Sequence, residues 1–594
     1  MKFKTSINLV RRALSLLQKQ DQRKIYVVLV IQVLTTLMDM FGIALIGLIT
    51  SVSLYGIQSI ELPASIKEIL AILQINNLTL QVQIAVLGLS TGLLLISKTI
   101  FSAFIQRKIL YFLTIKTAVV TADVLEKVLN QPYDFVKTKS SAELLHTLTR
   151  GLSSLLTGVI GAAGIIINEI ALLATIFVGV FFFDPIITLV SLFYFGLIAF
   201  AQGKKIHTVA ESSQNTFTRE VINSEAQILE AFNLYRELHV RHARKIQLAH
   251  IIETRRKMAH HNVNALFLPY IAKYSLEASL VFGSILLMAS QFILKDALNA
   301  LTTLSIFLVA AGRVSPSLLR LQQGLIQFRS SSGESCKTVE LLDNLGNQKV
   351  LVEGVSPKSL PSRVSGEIVL RDLSFRYQDS ERDTLSKINL TIPSGTLFAL
   401  IGPSGNGKST IMDILMGALI PRSGIISIDG IPPNQFIASF PGAIGYVAQE
   451  SVFSNTSIRD NLLLGLEDHL LSDERILSVL EQVGLLEAVR HLPNGVNSSI
   501  GERGLMLSTG QKQRLSFARA LITEPKVLFL DEPTSSLDSE SEKLITDLIK
   551  SLRGKATIVV IAHRLETIES ADQVAYVENG QIVKIGTYRE VISP

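Results

Sequence analysis

The sequence predicts a membrane α-helical bundle of six transmembrane helices fused to a soluble α/β domain built on a glycine-rich phosphate loop. A mean hydropathy of +0.39 with 48% hydrophobic residues is too apolar for a wholly soluble chain, and 594 residues are too many for one ordinary domain. The long apolar runs all lie in the N-terminal half. After about residue 367, short β-rich runs alternate with helical patterns, and one of them leads into GPSGNGKS.

The opening MKFKTSINLVRRALSLLQKQDQRK is basic and partly amphipathic. The apolar run behind it is too long for a signal-peptide core, so it reads as a lead-in helix on the cytoplasmic side. Apolar runs follow at about 25–54, 82–106, 154–183, 185–203, 264–293 and 298–320, each near or above the roughly 20 residues that cross a bilayer. Phe183, Asp184 and Pro185 leave room only for a tight turn between the third and the fourth. Polar insertions after the second and fourth spans are rich in lysine and arginine, whereas 55–80 holds only Lys67. The positive-inside rule therefore places both insertions and both termini in the cytoplasm, in a multi-pass protein of the cytoplasmic (inner) membrane with lipid around it. Gly, Pro and Ser collect without periodicity over 345–366, which reads as a linker between a transmembrane domain at 1–344 and a soluble domain at 367–594.

The formal net charge of +6 comes with no basic cluster interleaved with aromatics, so nucleic acid is not an expected partner; the flanks of the spans account for the excess. A single cysteine, Cys336, excludes an intrachain disulfide, and no Cys/His group has zinc-ligand spacing.

Gly402, Pro403, Ser404, Gly405, Asn406, Gly407, Lys408 and Ser409 spell Gly-x-x-x-x-Gly-Lys-Ser between an apolar strand pattern and an amphipathic helix pattern. Glycines there let backbone N–H groups wrap phosphate oxygens, Lys408 neutralises the β/γ-phosphates, and the Ser409 hydroxyl is a magnesium ligand. In KVLFLDEPTSSLD an apolar strand, Val527 to Leu530, ends in two carboxylates. Asp531 is placed to hold magnesium, directly or through water, and Glu532 to polarise an attacking water.

LSTGQKQRLSFARA, at 507–520, resembles the LSGGQ signature of ATP-binding cassette (ABC) proteins. Tyr377 in LSFRYQD resembles that family's adenine-stacking aromatic, and Gln449 in YVAQE its Q-loop glutamine. GERG at 501–504 resembles the loop that exporters of the family place before the signature, Asp538 in SSLD its D-loop residue, and His563 in IVVIAHRLETI its switch histidine. Six spans ahead of one cassette resemble the half-transporter exporters, the type I/type IV ABC exporter fold, over essentially the whole chain. The resemblance implies ATP and Mg2+ as ligands, with Ser409, Gln449 and Asp531 on the metal and Glu532, His563 and Gln449 in catalysis. Tyr377, the loop from Gly402 to Thr410, and Ser508, Thr509, Gly510, Gln511 and Asp538 would bind ATP, the last five by completing the site of another cassette. One cassette per chain then implies a partner, most simply a second copy in a homodimer.

The family has a glycine where this chain has Thr509. A glycine-only backbone conformation there would strain threonine, whereas an ordinary helix N-terminus would let it cap and donate to phosphate. The same architecture presses two short cytoplasmic helices on the cassettes. By position these are NQPYDFVKT (130–138) and EAFNLYREL (230–238), with Tyr133, Phe135, Phe232 and Tyr235 as knobs.

Ionisable residues inside the predicted spans, namely Asp39, Lys98, Glu169, Lys273, Glu277, Arg313 and Arg320, would each cost about 2.5–3.5 kcal/mol against lipid and so should face the bundle interior. Either they neutralise one another, Lys273 with Glu277 and Lys98 with Asp39 or Glu169, or their cations meet an anionic head group. KYSLEASLVFG and FLVAAGRVSPSLLR resemble spans of the bacterial flippases for lipid-linked oligosaccharides, which implicates Lys98, Lys273 and Arg313 in binding a lipid diphosphate. The expectation is an ATP-driven exporter or flippase of a phosphate-bearing lipid, such as a lipid-linked oligosaccharide or polysaccharide precursor. The alternatives are a hydrophobic drug or peptide exporter and, in another class, an ATP-gated channel or sensor.

Overall fold

The structure is a computed structural model that describes the chain except residues 1–2, 58–63, 76, 184, 186–188, 190–192, 195, 198–215, 295–296, 348–363, 378–379, 467–471, 502–503, 535–536, 563 and 593–594. It divides into two compact units. One comprises Met1–Leu129 and Lys139–Asn347, the other Asn130–Thr138 and Gln348–Pro594.

The elements of the first unit are all helices among its described residues, joined by short turns. The lead-in helix Phe3–Ser15 is held to the helix Cys336–Asn347 by Arg12 and Asp343, whose Nη1 and Oδ2 lie 2.7 Å apart. Helices Lys19–Ile57, Leu80–Leu129, Gly161–Phe183, Arg244–Leu294 and Ala297–Glu334 form the bundle. At 1.5 Å per residue, the 50 residues of Leu80–Leu129 extend about 75 Å, over twice the ~30 Å hydrocarbon core of a bilayer, so its more polar C-terminal half must project beyond it. Among the described residues three helices are long and apolar enough to cross a membrane: Lys19–Ser53, Leu80–Leu129 and Ser141–Gly179. The expected spans at 25–54, 82–106 and 154–183 fall on these. The expected span at 185–203 lies largely outside the described residues. Those at 264–293 and 298–320 lie on Arg244–Leu294 and Ala297–Glu334, which carry Pro269 and Pro316 inside them.

Buried charges fasten these helices to one another. Asp39 on Lys19–Ile57 pairs with Lys98 on Leu80–Leu129 at 2.5 Å, and Asp21 pairs with Lys116 across the same two helices at 2.7 Å. Glu169 on Gly161–Phe183 accepts from Arg320 Nε at 2.7 Å and from Ser317 Oγ at 2.6 Å, both on Ala297–Glu334.

The second unit contains two sheets. Strands β1 (Ile368–Phe375), β2 (Leu385–Ile392) and β4 (Ser423–Ile428) form an antiparallel sheet in the order β2-β1-β4. The other runs β5-β6-β7-β3-β8-β9, built from β3 (Leu397–Ile401), β5 (Ile444–Val447), β6 (Val527–Asp531), β7 (Thr557–Ile561), β8 (Gln573–Glu578) and β9 (Gln581–Gly586). Strands β5, β6, β7, β3 and β8 are parallel, and β9 is antiparallel to β8. Side chains alternate across the sheet. Leu397, Ala399, Leu528, Leu530, Ile558 and Val560 pack on one face, against Phe517 and Ile545. Phe398, Leu400, Phe529 and Val559 pack on the other, against Ile411 and Leu415. Burial on both faces is why these strands are nearly continuous apolar runs. The stretch expected as a linker begins as helix, since Cys336–Asn347 continues past residue 345, and 348–363 lie outside the described residues.

Candidate nucleotide site

The parallel order β5-β6-β7-β3 brings four chain segments to one edge, because each follows the C-terminal end of its strand: Gln449 after β5, Glu532 after β6, Ala562 after β7 and the glycine loop after β3. Ligands of open α/β sheets bind at this edge.

The loop takes its shape from glycines in backbone conformations that side chains avoid. Gly402 has φ +137 and Gly407 φ +96, and a Cβ on Gly402 would lie 2.1 Å from the carbonyl oxygen of Val577. The helix Lys408–Leu415 starts directly on Gly407, so its unpaired N–H groups face the loop. Lys408 is buried, and its Nζ donates to the carbonyl oxygens of Gly402 at 2.7 Å and Pro403 at 2.9 Å. Burial lowers its pKa, while Glu532 and Asp531 pull it back up. Ser409 is exposed and Thr410 buried; the Thr410 Oγ1 lies 3.2 Å from the Tyr377 hydroxyl.

At the end of β6, Glu532 has φ +47, a strained conformation for a residue with a side chain, of the kind found at functional sites. Its Oε2 accepts from Gln449 Nε2 at 2.8 Å. Gln513 also reaches this turn, donating to the carbonyl oxygen of Pro533. It was not singled out in the sequence, although it stands two residues after Gln511 in the signature helix. His563 lies outside the described residues.

Ser508 is the N-cap of the helix Thr509–Leu521 in a reciprocal capping box with Gln511: Gln511 N donates to Ser508 Oγ and Ser508 N to Gln511 Oε1. Thr509 is therefore the first helical residue, with an ordinary backbone and an exposed side chain, and threonine is unstrained there. A Cβ on Gly510 would lie 3.9 Å from Asp538 Oδ1, so the signature and the D-loop residue are neighbours. Asp538 caps the helix Ser539–Leu552, and the hydrogen bonds from Ser541 hold its carboxyl below the usual range.

Of the two short segments expected to press on the cassettes, Asn130–Thr138 belongs to the second unit. Its helix Tyr133–Lys137 buries Phe135 and is fixed by the Tyr133 N–H, which donates to the Ala418 carbonyl oxygen at 3.0 Å. Tyr446 is pushed up to about 12 by burial, with Asp531, Asp413 and Tyr133 adding to the effect. The other segment lies in the helical unit with Phe232 and Tyr235 exposed.

Among the charges of the spans, Lys98 meets Asp39 rather than Glu169, which binds Arg320. Arg320 has no acidic neighbour in its own span, and its partner comes from another helix. Lys273 lies 3.8 Å from Glu277 one turn away, both half-exposed. The side chain of Arg313 lies outside the described residues.

Fold and site together define a helical membrane unit joined to a nucleotide-binding cassette. The family described as ABC transporter matches residues 385–535 of the chain. The chain is 36% identical over 268 residues to an ATP-dependent lipid A-core flippase of Pseudoalteromonas atlantica, covering 45% of each. It is 39% identical over 268 residues to a multidrug resistance ABC transporter ATP-binding and permease protein of Lactococcus lactis, covering 45% of this chain and 44% of that protein. These matches span less than half the length of those curated relatives. The solved structure of a bacterial Atm1-family ABC exporter with ATP bound superposes with a TM-score of 0.73 over 97% of this chain and 96% of that one, at 20% identity, a likeness of fold.

Proposed function

We propose that two copies of this chain form an ATP-driven exporter of an amphipathic cargo in the cytoplasmic membrane. The observation that carries it is the contact of Gln449 with Glu532 beside the glycine loop, on the same chain as helices apolar enough to cross a bilayer. Tyr377 would stack adenine, the loop from Gly402 to Thr410 would wrap the phosphates, and Glu532 would take a proton from the attacking water. Ser409, Gln449 and Asp531 offer only hydroxyl, amide and carboxylate oxygens, a hard donor set that fits Mg2+, which would neutralise charge on the β/γ-phosphates. The exposed helix start at Ser508, Thr509 and Gly510 and the adjacent Asp538 would complete the partner copy's site. His563 would contact the γ-phosphate.

For the cargo, the pairing of Lys98 with Asp39 and the closeness of Lys273 to Glu277 favour internal charges that neutralise one another and a hydrophobic amphiphile as substrate. A phosphate-bearing lipid is the second reading, favoured by cations at Lys98, Lys273 and Arg313 on three separate predicted spans; its head group would have to compete with Asp39 for Lys98. Reconstitution into liposomes with a panel of lipid diphosphates, drugs and peptides tests both. ATPase stimulation together with movement across the bilayer is expected for apolar amphiphiles. ATP use without movement of any cargo would leave a gated channel or sensor instead.

A further inference from the structure

Lys137 ends the helix Tyr133–Lys137, and its Nζ lies 5.8 Å from the ring centroid of Tyr377 and 5.9 Å from that of Tyr133, both within cation–π range. Tyr377 is held on two further sides. Its ring stands edge-on to Phe375 at 4.9 Å, and its hydroxyl meets Thr410 in the helix that follows the glycine loop. Burial raises the pKa of Asp413, one turn further along that helix, and Lys137 draws it back down. The segment is anchored rather than trailing, since Phe135 is only 4% exposed and the backbone of Tyr133 is bonded to Ala418.

We propose that Lys137 is a positioning residue for the nucleotide base: it holds the Tyr377 ring in place for stacking, and so links occupancy of the base subsite to the segment Asn130–Thr138. An ammonium that fixes the ring beforehand spares the base the cost of ordering it. The link works in both directions, because a base that stabilises Tyr377 in place stabilises Lys137 and its helix with it. Both ends of this segment continue into the helical unit, at Leu129 and Lys139, so the link reaches the chain that must respond to nucleotide. The inference rests on the reading of Tyr377 as the adenine-stacking residue.

The sequence contains no tryptophan, so Tyr377→Trp introduces a unique indole at the base subsite. In the full-length protein in lipid nanodiscs, ATP should quench this indole. Adding Lys137→Met should raise the half-saturating ATP concentration about two- to fivefold, as expected for loss of a cation–π contact. Lys137→Arg should restore it. With Tyr377 intact, Lys137→Met should raise KM for ATP by a similar factor and leave kcat within about twofold. Inorganic tripolyphosphate, which has no base, should show the same competitive inhibition constant in wild type and Lys137→Met. Unchanged half-saturation, or equal weakening of ATP and tripolyphosphate, would overturn the positioning role. An indole that ignores ATP in a protein still hydrolysing it would overturn the assignment of Tyr377 and this inference with it.

Discussion

Lys98 on the helix Leu80–Leu129 and Asp39 on the helix Lys19–Ile57 form an ion pair of 2.5 Å in which the carboxylate is almost wholly buried. Removing one partner strands the other charge, which in buried pairs costs about 3–5 kcal/mol, whereas replacing both with apolar groups of similar volume is close to neutral. Lys98→Met is therefore expected to lower the thermal stability of the purified protein sharply, and Asp39→Leu combined with Lys98→Met to recover most of it. If Lys98→Met alone melts like wild type while losing stimulation by a lipid diphosphate, Lys98 serves a head group instead.

The Gln449–Glu532 contact leads to a second expectation. Glu532→Gln keeps the shape of the turn and removes the proton acceptor, so ATP should bind with near wild-type affinity while turnover falls by roughly 10²–10⁴-fold. Single-turnover assays beside equilibrium binding check this, and ordinary hydrolysis by that variant would exclude Glu532 as the base.

Thr509 sits at the first helical position after a capped Ser508. Thr509→Gly, which restores the family's sequence, relieves no strain and adds backbone freedom. Stability should fall slightly, by about 0.5 kcal/mol, and kcat should change by less than about threefold. A clear gain in stability on this substitution would mean that the threonine is strained after all.

The depressed pKa of Lys408 sets a sign for pH dependence. The folded protein gives up this proton before the unfolded chain does, so the unfolded chain binds more protons between the lowered folded value and 10.5. This group's contribution is least favourable below its folded pKa and improves as pH rises toward 10.5. Melting curves from pH 7.5 to 10.5 should show Lys408→Met losing that alkaline gain relative to wild type.

What the sequence reveals here depends on distance along the chain. The glycine loop, Asp531 and Glu532 are legible because their chemistry is packed into a few consecutive residues, and the strand pattern before each places them at one sheet edge. Thr509 was also decidable: Ser508 followed three residues on by Gln511 is a capping-box spacing, which makes the two residues between them, Thr509 and Gly510, helical. The partner of Lys98 could be narrowed to Asp39 or Glu169 but not chosen, because the choice depends on the register of helices far apart in sequence. The segment 130–138 is legible as one that presses on the cassette, but within it Lys137 gives no signal of its own. A lysine at the end of a short polar helix looks solvated, and only the fold sets it beside Tyr377, 240 residues later.

The grouping of Asn130–Thr138 with the cassette has a practical corollary for dissecting the protein. A fragment beginning near residue 364 would lack the segment whose Tyr133 N–H bonds to Ala418 and whose Lys137 stands beside Tyr377. Such a fragment should hold ATP more weakly than the full chain. A synthetic nonapeptide, NQPYDFVKT, supplied in trans should restore part of that affinity.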